Sequence, residues 1–126
     1  MWPEGSEDEH RREAAAFFAG AGSPAAVLLA EGDAGVVGFA EVSIRPYAEG
    51  CRTDRVGYLE GWFVIPEARG QGIGKRLVAG AEEWARAQAC VEFASDAEAD
   101  NEVSAVAHRA LGFTEVGMLR CFRKDL

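Results

Sequence analysis

The order of hydrophobic and polar positions predicts a helix followed by a β-hairpin in the first part of the chain. A Ser-x-x-Glu capping box at residues 6–9 predicts a helix over residues 7–19, and the glycines that follow favour its end there. The apolar run at residues 25–31 has the length of a strand, and residues 36–45 predict the next one. A Gly-Asp-Ala-Gly turn lies between these two strands, so they are expected to pair as a hairpin.

The rest of the chain alternates between strand patterns and helix patterns. The predicted elements are a strand at residues 56–64, a helix at about 72–89, a strand at 91–95, a helix at 101–111, and closing strands at 114–116 and 119–123. Helices and strands that alternate in this way predict a mixed α/β sheet in a single domain spanning residues 1–126.

The strand at residues 56–64 carries an acidic residue among aromatic ones. Regular alternation would place Tyr58, Glu60, Trp62 and Val64 on one face of the sheet. A charged side chain is costly in a buried strand unless it is paired or functional, so Glu60 is a candidate site residue. The alternative is an ion pair between Glu60 and a neighbouring arginine.

The net charge restricts the kinds of partner that the chain can bind. The charge is −8 at pH 7, which argues against nucleic acid because phosphate binding requires clustered Lys and Arg. An acidic cleft attracts cationic molecules, although the charge could also serve solubility alone. The sequence has no apolar run long enough to span a membrane, and its acidic N-terminus does not resemble a signal peptide. We therefore expect a cytoplasmic protein without a membrane partner.

The cysteines and histidines do not suggest a metal site. Cys51, Cys90 and Cys121 are scattered along the chain, which is typical of free thiols in a reducing compartment. His10 and His108 lie far apart and lack metal-ligand spacing. We expect no bound metal.

The most informative segment is the glycine-rich turn between the strand at 56–64 and the next helix. It reads Arg-Gly-Gln-Gly-Ile-Gly-Lys-Arg over residues 69–76. Backbone N–H groups at such a turn, with the positive end of the helix dipole, form an anion site. The spacing fits neither a nucleotide P-loop nor a Gly-x-Gly-x-x-Gly dinucleotide fingerprint. The alternative is a helix that merely begins with glycines.

Arg69-x-x-Gly72-x-Gly74, between a strand and a helix, resembles the pyrophosphate loop of the GNAT superfamily of N-acetyltransferases. The segment from Asn101 to the Leu-Gly-Phe at residues 111–113 is similar to the next conserved block of that superfamily. Together with residues 38–43, 58–62 and 94–96, these blocks make nearly the whole chain resemble the aminoglycoside 6′-N-acetyltransferases. The resemblance implies a GNAT-like acyl-CoA N-acyltransferase fold. It also implies transfer of an acetyl group from acetyl-CoA to the 6′-amino group of an aminoglycoside antibiotic, which confers resistance.

The resemblance implies a set of residues that hold acetyl-CoA. The backbone of the last β-strand residues before the turn would pair with the pantetheine arm, with the Val64 N–H as an oxyanion donor. Asn101 would touch the pantetheine, and the turn would hold the pyrophosphate. The implied cofactor-binding residues are Trp62, Phe63, Val64, Arg69, Gly70, Gln71, Gly72, Ile73, Gly74, Lys75 and Asn101.

The resemblance also implies residues that act on a polycationic amine. Glu60 and Asp96 would attract the ammonium group and accept a proton from it. His108 stands where many relatives place a tyrosine that protonates the departing thiolate, although it could equally be a packed histidine. Asp96 could instead belong to a solvated acidic loop.

The acceptor pocket itself is expected to contain aromatic rings with acids at the rim. By resemblance, Trp2 and Tyr47 would line it, and Glu60, Asp96 and Glu115 would contact the amine.

The chain departs from these relatives at its N-terminus, where they begin about twenty residues earlier. The implied fold would therefore lack its first strand, which would leave the strand at residues 25–31 as an open edge. A homodimer that shields such edges is our expectation. Two alternative functions remain: acetylation of another small amine or a peptide N-terminus, and an acetyl-CoA-binding module without a working acceptor pocket.

Overall fold

The computed structural model describes the backbone of residues 11–17 and all atoms of residues 24–126. The chain divides into two compact units, residues 1–96 and residues 97–126. The described elements of the first unit are β1 (Arg11–Phe17), β2 (Pro24–Gly32), β3 (Gly35–Arg45), β4 (Val56–Val64), a 3₁₀ turn (Pro66–Ala68), α1 (Ile73–Ala87) and β5 (Phe93–Ser95). The second unit contains α2 (Glu102–Ala110).

The described strands form one mixed sheet in the order β1-β2-β3-β4-β5. The first three pairings are antiparallel, and β4 and β5 are parallel. Parallel neighbours require a crossover connection, and α1 supplies it. The mixed α/β architecture expected from the sequence is confirmed.

The N-terminal segment is a strand where the capping box predicted a helix. Residues 11–17 pair antiparallel with β2, with Arg11 opposite Ala30 and Phe17 opposite Pro24. The helix prediction is therefore wrong for these residues, and its remainder lies outside the described residues. The edge of β2 offers a row of backbone hydrogen-bonding groups. Pairing with them outweighs the helix preference of this alanine-rich segment, because a helix this short is only marginally stable. The open edge expected at residues 25–31 is thus covered by β1.

Helix α1 packs its apolar stripe against β2, β3 and β4. Its buried residues are Ile73, Leu77, Val78, Gly80, Ala81 and Ala85. The helix ends in a Schellman-type arrangement, because the Ala89 N–H donates to the Arg86 carbonyl and the Cys90 N–H to the Ala85 carbonyl. Ala89 adopts the left-handed conformation that this motif requires, with φ of 69°.

The C-terminal residues do not form the closing strands that the sequence predicted. Residues 113–126 contain no helix or strand, so the predictions for 114–116 and 119–123 are wrong. An alternating pattern becomes a strand only where a neighbouring strand can pair with it. No strand of the described sheet pairs with residues 113–126. Large apolar side chains of this segment are exposed: Val116, Met118, Leu119, Phe122 and Leu126.

Close approach of α1 to the sheet requires a glycine in β4. A Cβ added at Gly57 would lie 2.6 Å from the Ala85 Cβ and 3.0 Å from the Phe93 Cδ1. Because interiors are densely packed, a methyl group at this position forces the helix or the strand to shift.

We predict that Gly57→Ala lowers the free energy of unfolding by about 1–3 kcal/mol, the usual cost of overpacking a core. Gly61→Ala in the same strand is the matched control, since its Cβ would meet nothing closer than 3.9 Å. Denaturant unfolding of both variants measures the difference. Equal stabilities of the two variants would contradict the proposed packing constraint.

Candidate active site

A β-bulge interrupts the pairing of β4 with β3 at Glu60. Gly61 lies opposite Glu41, whereas Leu59 lies opposite Val42, so Glu60 is an extra residue on β4. An extra residue shifts the alternation of side chains by one position for the remainder of the strand.

The bulge separates residues that regular alternation would place on one face. Trp62 and Val64 lie toward α1, because a Cβ at Gly74 would be 3.5 Å from the Trp62 Nε1 and 3.8 Å from a Val64 methyl group. Tyr58 packs instead in a cluster with Ala48 and Val56, and Glu60 binds the side chain of Arg45. The expectation that Tyr58, Glu60, Trp62 and Val64 share one face is therefore wrong.

Beyond the bulge, β4 extends past the end of its parallel neighbour. The described pairing of β5 with β4 ends at Ser95, opposite Leu59. The Ile65 N–H donates to the Val37 carbonyl of the β3 side. Because successive residues of a strand direct their N–H groups to opposite sides, those of Trp62 and Val64 are directed away from β3. The strand edge at residues 62–64 is thus oriented toward the gap that β5 leaves.

The glycine-rich turn follows directly from this strand. Gly70 and Gly72 have φ angles of 80° and 81°, and a Cβ at either position would meet nothing within 4 Å. Gly72 is the N-cap of α1, and no side chain of the described residues caps it. The first N–H groups of the helix are therefore not satisfied by a capping side chain, and the surrounding space is open. Lys75 is exposed in the first helical turn.

This arrangement fits the diphosphate of a cofactor. The positive end of the helix dipole, the uncapped N–H groups and the exposed cation act together on an anion. A side chain at Gly70 or Gly72 would occupy the space that the anion requires. The remaining predicted residues of the turn are Arg69, Gln71, Ile73 and Gly74; Ile73 is buried in the core and contributes only its backbone to this surface.

On the opposite face of the sheet, Glu60 forms a charge-assisted pair with Arg45. The Arg45 Nε lies 2.9 Å from Oε2 of Glu60, and Nη2 lies 2.6 Å from Oε1. The hydroxyl of Ser43 also donates to Oε2, at 2.6 Å. Burial by itself raises the pKa of Glu60, but the hydrogen bonds from Arg45 and Ser43 outweigh it and leave the pKa below its ordinary value. The alternative of an ion pair with a neighbouring arginine is therefore present in the structure.

Tyr58 connects this pair to Asp96. The guanidinium carbon of Arg45 lies 3.6 Å from the centroid of the Tyr58 ring, a cation–π contact. The Tyr58 hydroxyl donates a hydrogen bond to Oδ2 of Asp96. Burial and the bond to Asp96 raise the pKa of Tyr58 to about 12, so its hydroxyl stays protonated at neutral pH. The two predicted carboxylates are thus joined through Arg45 and Tyr58.

The loop between β3 and β4 is fastened by Glu92. The Glu92 carboxylate accepts hydrogen bonds from the Arg52 and Thr53 N–H groups and from the Thr53 hydroxyl, at 2.6–3.1 Å. The loop also carries Tyr47, which is 65% exposed and whose hydroxyl lies 2.5 Å from an oxygen of Glu49. Tyr47 is therefore an accessible aromatic ring on an anchored loop.

Three predicted residues belong to the second unit. Asn101 is the N-cap of α2, and its side chain accepts a hydrogen bond from the Ser104 N–H at 3.0 Å. The Nδ1 of His108 lies 2.8 Å from the Ser104 carbonyl, and its ring contacts Phe113 edge to face. Glu115 pairs with Arg109 at 3.1 Å. Trp2 lies outside the described residues.

Sequence reasoning missed three of these residues. Arg45 and Tyr58 connect the candidate carboxylates, and Ser43 donates to Glu60, but none of the three was assigned a site role. Arg45 could have been suspected from the sequence, because it is the last residue of β3, the strand that pairs with β4. The bulge left no signal in the alternation of residue types.

Among residues 24–126, no group of three or more His, Cys, Asp or Glu residues is arranged to hold a metal ion. No helix in the described part of the chain is long and apolar enough to cross a membrane.

We predict that Arg45→Met raises the pKa of Glu60, because the largest stabilising partner of the charged form is lost while burial remains. A carboxyl whose pKa is lowered by folding stabilises the protein above its unfolded pKa, and this contribution is lost as the pH falls through the folded value. Below pH 4.5, the ordinary value for Glu, the variant should therefore lose stability less steeply than the wild type. Side-chain ¹³C NMR titration and unfolding at several pH values measure both effects.

The control for this measurement is Arg86→Met, since Arg86 forms ion pairs with Glu82 and Glu83 on the surface of α1. It should leave the titration of Glu60 unchanged. An unaltered Glu60 titration in Arg45→Met would rule out the assigned cause.

Comparison with known proteins identifies the family of the chain. The model of the acetyltransferase (GNAT) family matches residues 1–113. An aminoglycoside N(6′)-acetyltransferase type 1 from Klebsiella aerogenes is 54% identical over 128 aligned residues, which cover 100% of this chain and 84% of that protein. The enzyme of the same name from Serratia marcescens is 41% identical and is covered over 86% of its length.

Solved structures agree with these matches. The apo 6′-N-acetyltransferase AAC(6′)-IG from Acinetobacter haemolyticus superposes with a TM-score of 0.78 at 43% identity, over 81% of this chain and 71% of that one. The enzyme AAC(6′)-Iy, in complex with the bisubstrate analogue CoA-S-monomethyl-acetylneamine, gives a TM-score of 0.77 at 39% identity, over 81% and 68% of the two chains. The chain therefore belongs to the acetyltransferase (GNAT) family, within its group of aminoglycoside 6′-N-acetyltransferases.

Proposed function

We propose that this enzyme transfers the acetyl group of acetyl-CoA to the 6′-amino group of an aminoglycoside antibiotic, and so confers resistance. The observation that carries the proposal is the 54% identity to an aminoglycoside N(6′)-acetyltransferase over the whole chain. The bisubstrate analogue bound by AAC(6′)-Iy joins CoA to an aminoglycoside, which supports the same pair of substrates. A glycine-rich turn beside the end of β4 and two carboxylates near the bulge agree with this chemistry.

The cofactor-binding residues follow from the strand edge and the turn. Residues 70–75 would hold the diphosphate through backbone N–H groups and Lys75, and the backbone of residues 62–64 would pair with the pantetheine arm. Bound acetyl-CoA supplies the thioester that donates the acetyl group. Asn101 remains in the cofactor site on the resemblance alone, since its side chain caps α2.

The reaction requires a neutral amine and a stabilised oxyanion. The lone pair of the amine nitrogen forms a C–N bond with the thioester carbonyl carbon, and the Val64 N–H donates to the resulting oxyanion. Cleavage of the C–S bond then releases the CoA thiolate. The ammonium group loses one proton to a carboxylate or to water before the attack, and the nitrogen of the tetrahedral intermediate loses a second proton after it. The thiolate takes up one proton, so that one proton is released for each acetyl group transferred.

We assign different roles to the two carboxylates of the bulge region. Both oxygens of Glu60 accept hydrogen bonds, and its pKa is lowered, so Glu60 is a poor proton acceptor and suits electrostatic binding of an ammonium group. Asp96 is exposed and accepts one hydrogen bond from the described residues, on Oδ2. Its second oxygen can take the proton of the amine. Asp96 is therefore the proposed base.

The remaining proposed site residues act on the departing thiolate and line the acceptor pocket. His108 would protonate the CoA thiolate; its Nδ1 lies against a backbone carbonyl, so the proton would come from Nε2 of the imidazolium. Tyr47, on its anchored loop, would stack on an apolar sugar face. Trp2 and Glu115 stay candidate pocket residues on the resemblance alone.

We predict that Asp96→Asn lowers kcat for kanamycin about 100-fold, the scale of a lost general base, with the KM for acetyl-CoA unchanged. Glu60→Gln should mainly raise the KM for kanamycin, because it removes a binding charge. Asp33→Asn, in the exposed turn between β2 and β3, is the matched control and should retain wild-type kinetics. Thiol release with acetyl-CoA and purified aminoglycosides measures all three.

The same assay separates the competing functions. If the wild type binds CoA but acetylates no aminoglycoside, the proposed function is wrong. Turnover limited to polyamines or peptide N-termini would then indicate a different amine acceptor. A rise in melting temperature with CoA and no turnover of any amine would indicate an acetyl-CoA-binding module.

We further propose a cytoplasmic homodimer. Five exposed large apolar side chains between residues 116 and 126 support self-association, because burying them against a second copy would remove apolar surface from water. Three free cysteines agree with a reducing compartment. Light scattering should give twice the 13.5 kDa mass of the chain, and Phe122→Ser should shift it toward one chain mass. A monomer mass at every protein concentration would contradict the dimer.

A further inference from the structure

Arg69 makes a contact that binding of a diphosphate does not require. Its side chain turns back from the glycine-rich turn, and its Nε lies 2.7 Å from the carbonyl oxygen of Val64. Its guanidinium carbon lies 5.2 Å from the centroid of the Phe63 ring. The same side chain thus touches the last two residues of β4 and stands at the first position of the turn.

The carbonyl that Arg69 holds lies on a particular edge of β4. Since the Ile65 N–H donates to Val37, both backbone polar groups of Val64 are directed away from β3. The pairing of β5 ends opposite Leu59, so β5 cannot fix the backbone at Val64. Among the described residues, Arg69 donates the hydrogen bond to the Val64 carbonyl that a neighbouring strand would otherwise donate.

The shape of the guanidinium allows it to serve two partners at once. Arginine has five N–H donors in a rigid planar fork, of which one is used on Val64. The terminal nitrogens make no hydrogen bond with the described residues, and Arg69 is exposed. They can therefore bind an anion in the turn while Nε stays on the strand. Lysine, with a single ammonium on a flexible stem, cannot reproduce this fork.

We infer that Arg69 is a positioning residue that couples the diphosphate site to the strand edge that orients the thioester, acting through the Val64 carbonyl. This inference rests on the proposed function for the identity of the donor substrate. When the carbonyl of an extended residue is fixed, the direction of its own N–H is fixed as well. Arg69 therefore holds the Val64 N–H in the direction that an oxyanion donor requires.

The test compares acetyl-CoA with S-acetylpantetheine, which lacks the diphosphate and the nucleotide. In Arg69→Met, NMR titration should show weaker binding of both donors, because both need the ordered strand edge. At saturating acetyl-CoA, kcat should also fall about tenfold, as expected for misplaced reacting groups. Lys75→Met is the matched control: its exposed side chain serves the diphosphate alone, so it should weaken acetyl-CoA and leave S-acetylpantetheine unchanged.

Two conservative variants keep the test decisive if Arg69→Met unfolds. Arg69→Gln retains a planar N–H donor and should partly restore binding of S-acetylpantetheine. Arg69→Lys retains the positive charge and should restore only part of the affinity for acetyl-CoA, without restoring kcat or the binding of S-acetylpantetheine. If the Arg69 variants bind S-acetylpantetheine like the wild type and keep wild-type kcat, the inference is overturned and Arg69 is a diphosphate contact only. The titrations need no acceptor, so failure of the wild type to acetylate aminoglycosides would refute the proposed function separately.

Discussion

The geometry of the candidate site depends on the bulge at Glu60. One extra residue in β4 reverses the faces of the side chains that follow it, so Trp62 and Val64 point toward α1 while Tyr58 and Glu60 point the other way. The bulge also coincides with the end of the β5 pairing. The edge of β4 at residues 62–64, which faces the gap beyond β5, and the carboxylate of Glu60 are therefore both placed by this bulge. Bulges commonly re-aim side chains and end pairing beside functional sites.

Charge is distributed unevenly between the two faces of this region. The glycine-rich turn combines backbone donors, the helix dipole and exposed cations, which suits an anionic donor substrate. The opposite side of β4 carries Glu60 and Asp96, which suit a cationic acceptor. Arg45 compensates the charge of Glu60 and stacks on Tyr58, whose hydroxyl holds Asp96. The partly buried carboxylate of Glu60 therefore stays charged without the free-energy cost of an unpaired buried charge.

Sequence patterns correctly predicted the elements that are determined by neighbouring residues along the chain. The hairpin of β2 and β3, the strand at 56–64 and α1 follow from turn residues and from apolar spacing, and the structure contains them. The predictions of a helix at residues 11–17 and of strands at 114–116 and 119–123 were wrong, because strand formation depends on whether a neighbouring strand is available to pair. The bulge was missed because inserting Glu60 does not alter the local residue pattern. Most candidate site residues were assigned from the resemblance to a family, and these assignments stay predictions. The links through Arg45 and Tyr58 required the three-dimensional register.

The central claim is that the turn at residues 70–75 and the β4 edge at 62–64 together receive one extended donor molecule. A crystal structure with bound coenzyme A tests it most directly. The account predicts diphosphate oxygens within hydrogen-bonding distance of the N–H groups of the turn, and pantetheine amides paired with the backbone of residues 62–64. Coenzyme A bound elsewhere, with the turn filled by the protein's own side chains, would contradict it.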